Sequence, residues 1–316
     1  MVLLIRFKTT QIMKTMKFFL YFSVLVNFLL ATMAFSTQIR TISNPISLAL
    51  LCNGFCKHIG PNFCFYLHTV STICAIFSGL INLHTLFYRT MSLKYLDRRQ
   101  STRRTLQFSW HYILPVGFLI ASYIPPRDHE FVRNETISLH PEYDYEPYGE
   151  FGGFANSHHI LETIDTFVLL LASSVWIPGL GCYWRHVSLR ILKSTTSNVT
   201  SPANKVMFAV FIKGLTLQIL LPLGCYVPLS ILFLWNKYSN YPLGISEYTL
   251  DFLSSMPCIF DPILQIYFII PYRATVKRIL MCQGFQKVQT TSTASNTDGQ
   301  LTSEVQHRSE IVAVGG

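Results

Sequence analysis

The stretch DPILQIYFIIPYR, Asp261 to Arg273, places an acid and a proline at the head of an apolar run and ends it at Pro271-Tyr272-Arg273. A proline inside a helix removes one N–H and frees a carbonyl, which neighbouring helices or water must satisfy. An ionisable side chain in an apolar helix is costly unless it faces polar partners inside a bundle. The stretch therefore reads as the last span of a membrane bundle. Asp261 meets a polar network, a bound cation or Lys213, and Arg273 reaches the interface. A neutral Asp261, hydrogen-bonded only for packing, is the structural alternative.

The rest of the chain supports a lipid environment. Of 316 residues, 50% are hydrophobic and 13% are charged, against about 25% charged in an ordinary soluble domain. The net charge of +9 does not point to nucleic acid. The basic residues form short clusters between apolar runs, which is a topology signal, and no RNA-reading motif accompanies them.

A spanning helix needs about 20 mostly apolar residues. Six segments meet that requirement: about Phe18–Phe35, Pro61–Tyr88, Gln107–Ile124, Leu161–Trp184, Met207–Trp235 and Thr249–Tyr272. The expected fold class is an all-α membrane bundle. Residues 1–17 form a cytoplasmic basic lead, 18–272 the bundle and 273–316 a cytoplasmic Ser/Thr-rich tail. The tail is too poor in apolar residues to offset the entropy of ordering.

Basic residues orient the spans. With the N-terminus inside, Arg89, Lys94, Arg98, Arg99, Arg103 and Arg104 lie inside, as do Arg185, Arg190, Lys193 and Lys205. Only Arg40, Lys57, Arg127, Arg133 and Lys237 fall outside, with Lys213 inside the fifth span. That asymmetry obeys the positive-inside rule and makes both termini cytoplasmic. The sequon at Asn134 then lies outside and the one at Asn198 inside. The first segment also has the basic start and small residues of a signal peptide, although its apolar core is long for one. Either reading leaves the later helices with the same orientation.

Several residues stand out against this frame. Pro222 and Pro228 interrupt the fifth span and are expected to kink it. The stem of Lys213 can snorkel to the interface. His158, Glu162 and Asp165 in HHILETID gather at the outer start of a helix, where a ligand would enter. Acids in a first helical turn also serve the helix dipole, and no complete metal-ligand set accompanies them. HPEYDYEPYGEFGGF, residues 140–154, reads as a structured outer loop capping the bundle. Cys56 and Cys64 are close enough in sequence to close a local loop, and Cys52 is a third candidate for pairing. No nucleophile–base pair, phosphate loop or HExxH motif is present, so the chain does not read as an enzyme, and no cofactor or metal is expected.

The sequence resembles the nematode serpentine receptor class delta family of chemosensory G-protein-coupled receptors. The resemblance rests on SLALLCNGFCKHIGPNFCF, LFYRTMSLKYL, HPEYDYEPYGEFGGF, KGLTLQILLPLGCYVP and DPILQIYFIIPYR, and extends over roughly residues 8 to 280. It implies a rhodopsin-like helical bundle in the plasma membrane, an unknown small-molecule ligand and a heterotrimeric G protein. It also implies that Asp261-Pro262 stands for the Asn-Pro element of the last receptor helix, with Tyr267 displaced from the usual tyrosine position. Arg89 matches the arginine that meets the G protein, but Phe87-Tyr88 precede it in place of an acid. The usual receptor disulfide cannot form, because residues 125–160 contain no cysteine. The family has seven spans, and MVLLIRFKTT reads as the last residues of an otherwise absent first helix. A six-span transporter or channel, or a non-signalling remnant of a receptor, are the competing readings.

Overall fold

The structure is a computed structural model and describes residues 1–8, 17–94, 98–124, 127–194, 202–238 and 244–281. It divides into two compact units, Met1–Val276 with the helical bundle and Lys277–Gly316 with the end of the chain. Asn198 and nearly all of the tail lie outside the described residues.

Eleven α-helices are present among the described residues. A short α1 (Val2–Lys8) buries Ile5 completely. It is followed by α2 (Lys17–Thr37) and the central helix α3 (Pro61–Lys94). The apolar window of α3 is 61% buried, against 22–28% for the other long helices, so α3 is the element around which the rest pack. Next come α4 (Arg98–Gln107), α5 (Ile113–Ala121) and α6 (His129–Leu139). The bundle is completed by α7 (Ile160–Leu171), α8 (Ile177–Ser194), α9 (Pro202–Tyr238) and α10 (Gly244–Phe268), followed by α11 (Ile270–Leu280).

Four helical segments are long and apolar enough to cross a bilayer, or five if the bent pair α10–α11 counts as one. The expected span Gln107–Ile124 differs, because it is divided between α4, a 3-10 segment at Phe108–Tyr112, and α5. Pro115 explains the tightening. It lacks an N–H for the His111 carbonyl and its ring crowds that carbonyl. The outward faces of α2, α5, α7 and α10 carry Phe28, Ile113, Phe167 and Ile263, all more than half exposed. Apolar surface of this extent fits a lipid solvent.

The opening stretch resolves into two elements. α10 runs only to Phe268, and α11 leaves it at 96°, so the last span ends before Tyr272. Pro271 falls in the first turn of α11, where its missing N–H costs nothing. Tyr272 is fully buried with Ile5, Leu20 and Ile212.

A three-stranded antiparallel sheet covers one end of the bundle, an addition to the expected helical fold. Its order is β1 (Ile39–Ser43), β2 (Leu48–Cys52), β3 (Gly152–Phe154). All of β2 is buried because both faces are covered. Leu50 and Cys52 pack with Phe65 and Leu67 of α3. Ala49 and Leu51 pack with Val132 of α6 and with Phe151. Glycine is required where β3 joins, since a Cβ at Gly153 would strike the Leu48 carbonyl and one at Gly152 the His129 ring. The outer loop therefore caps the bundle as a strand. Cys56 and Cys64 form a disulfide with Cα atoms 5.2 Å apart, which ties the turn after β2 to the start of α3. Cys52 remains a thiol.

Candidate functional site

Beneath the sheet lies a cavity of about 220 Å³. Its roof comes from all three strands through Thr41, Leu48, Leu50 and Phe154. These residues share one face because side chains alternate along a strand. The pairs Thr41–Leu50 and Leu48–Phe154 set that register. The walls come from α3, α5, α7, α9 and α10.

Glu162 and Asp165 project into this cavity from α7, one turn apart. The structure adds Asp251 of α10 and His68 of α3, neither of which the sequence singled out. His158 takes no part in the cavity lining. Its ring lies 3.2 Å from the Pro45 carbonyl and holds the loop against the turn between β1 and β2. Just below Asp165, a π turn at Ala172–Trp176 widens the helix. Pro178 follows and leaves the Ser174 carbonyl without its helical donor. Ser173 in this turn lines the cavity. π turns recur at functional sites.

Deeper in the bundle, Asp261 is 2% exposed. Its Oδ2 accepts hydrogen bonds from Asn82 Nδ2 of α3 at 2.9 Å and Asn27 Nδ2 of α2 at 3.2 Å. Ser78 donates to Asn27 Oδ1 at 2.8 Å. From α9, Gln218 donates to the Asp261 carbonyl at 3.2 Å, and Gln265 of α10 donates to Ser23 at 3.1 Å. Three helices thus meet at one carboxylate, and a fourth reaches the carbonyl of the same residue. Of the expected partners, the polar network is the one realised. Lys213 points out of the bundle and is exposed, as snorkelling requires.

The other expected network residues divide. Pro262 follows Asp261 within α10, and Pro222 and Pro228 lie within the continuous α9. Pro222 cannot donate to the carbonyl of Gln218, whose side chain bonds Asp261. Tyr267 is a correction. It is 58% exposed and makes no hydrogen bond to the network, because its position on α10 faces away from Asp261. Arg89 lies near the end of α3 opposite the sheet and is buried. Asn134 is exposed on α6.

One set of metal-ligand atoms converges among the described residues, the sulfurs of Cys52, Cys56 and Cys64. Two of these are joined in the disulfide, so the set is structural.

A helical bundle with a cavity under an outer cap and a buried polar network below it fits a membrane receptor of the serpentine class. A family profile described as "Serpentine type 7TM GPCR chemoreceptor Srd" matches residues 1–278. The chain is 45% identical over 275 residues to serpentine receptor class delta-63 of Caenorhabditis elegans, covering 87% of this chain and 84% of that one. It is 28% identical to serpentine receptor class delta-59 of the same organism, covering 94% and 90%. The chain belongs to the serpentine receptor class delta family of chemoreceptors. No solved structure matches it.

Proposed function

We propose that the chain is a plasma-membrane chemoreceptor. It binds a small molecule in the cavity beneath the sheet and passes that event to a heterotrimeric G protein at the end of α3 that holds Arg89. Both termini lie in the cytoplasm. The observation that carries this reading is that α10 serves both sites. Asp251 lines the cavity and Asp261 centres the network, ten residues apart, or about 15 Å along a helix. A ligand signals only if its binding energy differs between two bundle states. A ligand that moves α10 acts directly on the hydrogen bonds Asp261 makes with α2 and α3. The family's chemoreceptor character supports this reading over a transporter or channel, which would call for matched broken helices in paired halves.

The test is a reporter cell that expresses the full chain with and without G protein, challenged with a panel of volatile and water-soluble odorants. Asp261→Asn is expected to change basal or ligand-driven signalling while surface expression stays at the wild-type level. Loss of expression alone, with normal signalling per surface receptor, assigns Asp261 to packing. Ligand-gated flux without G protein would establish the transporter instead.

A further inference from the structure

The charge in the cavity identifies what it selects. Three carboxylates line it: Glu162 and Asp165 on α7, and Asp251 on α10. Among the described residues, no lysine or arginine does. Lys237 faces Glu162, and its Nζ donates to the Ser157 carbonyl at 2.6 Å. One lysine therefore offsets one acid and leaves two. Asp251 has a backbone donor in Ile39. Glu162 Oε2 is inaccessible and has no hydrogen-bond partner among the described residues.

His68 gives a second, independent sign. Its side chain is half-buried, and its ring makes no hydrogen bond among the described residues. The surface it does expose opens on the cavity. Buried polar groups are ordinarily satisfied, and the unpartnered Glu162 Oε2 needs an explanation. A donor arriving with a ligand supplies it.

The arrangement favours an organic cation over a metal ion. A metal needs several ligand atoms converging on one point. The only such convergence among the described residues is the cysteine group, so the three acids stand too far apart to share an ion. The remaining wall combines aromatic and aliphatic side chains, among them Phe118, Phe154 and Phe233, with hydroxyls such as Thr69 and Thr166. Aromatic faces and separated acids suit a charged head on an apolar body.

We infer that the cavity takes a protonated primary amine on a compact apolar body. This rests on the proposal that the cavity is the ligand site, and it adds the chemical class.

The test uses the full chain purified into nanodiscs. Alkyl and aryl primary amines, such as phenethylamine, are compared with the alcohol and the carboxylate of the same size. Thermal unfolding reads binding, since a ligand of the folded state raises the midpoint. At least one amine is expected to raise it, with the matched alcohol and acid doing so far less. Asp165→Asn and Asp251→Asn, on different helices, are each expected to weaken that amine's apparent affinity tenfold or more. Should one variant fail to fold, the other carries the comparison. An alcohol or acid that stabilises as well as its amine overturns the inference, as does an amine shift unchanged in the folded variants, or no shift with any amine. G-protein turnover measured alongside separates the two readings. An amine that binds without turnover leaves this inference standing and removes the receptor function. A neutral or acidic activator lost on cavity substitution does the reverse.

Discussion

Asn27 of α2 donates a hydrogen bond to Asp261 of α10, 234 residues away in the chain. The buried acid is not a lone charge beside an open face. α2 and α3 each present an asparagine amide to the same carboxylate oxygen, and hydrogen bonds to a charged group are the stronger kind.

Removing one of those amides has a predictable cost. Asn82→Ala leaves a buried carboxylate with one side-chain donor fewer and is expected to destabilise the fold by about 1–3 kcal/mol. With Asp261→Asn in the background, the same substitution should cost less, because the charge it served is gone. Thermal unfolding of the four proteins of this double-mutant cycle measures the coupling. Equal costs in both backgrounds would show that Asn82 acts by packing alone.

The thiol of Cys52 provides an alkaline signature. Burial, and then the nearby charge of Asp251, push it from its ordinary 9.0 up to about 12. Its folded-state value lies above its unfolded one, so its contribution to stability is complete below pH 9. That contribution is lost as pH rises towards 12. The folded protein is expected to resist alkylation at Cys52 between pH 7 and 9, with rapid labelling once it unfolds. Mass spectrometry after timed alkylation decides the matter. Fast labelling of Cys52 in the folded protein would contradict the buried position.

Topology has its own test. Asn134 lies exposed on α6, on the capped side of the bundle, and the positive-inside asymmetry predicts that side in the lumen during synthesis. Translation with microsomes is expected to add one endoglycosidase-sensitive glycan, abolished by Asn134→Gln and unaffected by Asn198→Gln. Glycan on Asn198 alone would invert the orientation.

Much of this architecture is legible in the sequence, for physical reasons that also mark where legibility ends. Long uncharged runs such as 18–35 need no tertiary information to be read as helices. Asp261 announces itself because a charge in such a run demands partners. Glu162 and Asp165 were visible as a pair because one helical turn joins them. Asp251 and His68 were not. Each is an isolated polar residue in its own segment, and only the crossing of α3, α7 and α10 brings them to one cavity. The strand Leu48–Cys52 was equally hidden. Covered on both faces, it lacks alternation and reads as a short apolar run without a period. The end of α10 was placed at Tyr272 because Ile269 and Ile270 continue the apolar pattern, whereas the backbone turns there.

The last prediction concerns how the cap is held. Arg40 of β1 and Glu247 of α10 form an ion pair at 2.7 Å, with side chains only 13% and 6% exposed. Tyr143 in the outer loop donates to the other Glu247 oxygen at 3.0 Å, and the Arg40 guanidinium lies 4.3 Å from the centre of that tyrosine ring. Burial alone would draw Arg40 down, but its hydrogen bonds to Glu247 and Tyr148 and the charge of Glu247 outweigh it and hold the guanidinium above its ordinary value. The pair therefore joins the sheet, the loop and the last long helix at one carboxylate. Glu247→Gln keeps the shape and removes the charge. The expected loss is roughly 2 kcal/mol, between the small worth of an exposed pair and the 3–5 kcal/mol of breaking a buried one. Local opening should fall on the cap, so amides of β1 and β2 should exchange roughly tenfold or more faster, while those of α3 stay protected. Hydrogen exchange with mass spectrometry resolves these segments. If β1 and β2 exchange as in the wild type, the cap is held by its apolar packing on Val132 and Phe65, and Glu247 is dispensable to it.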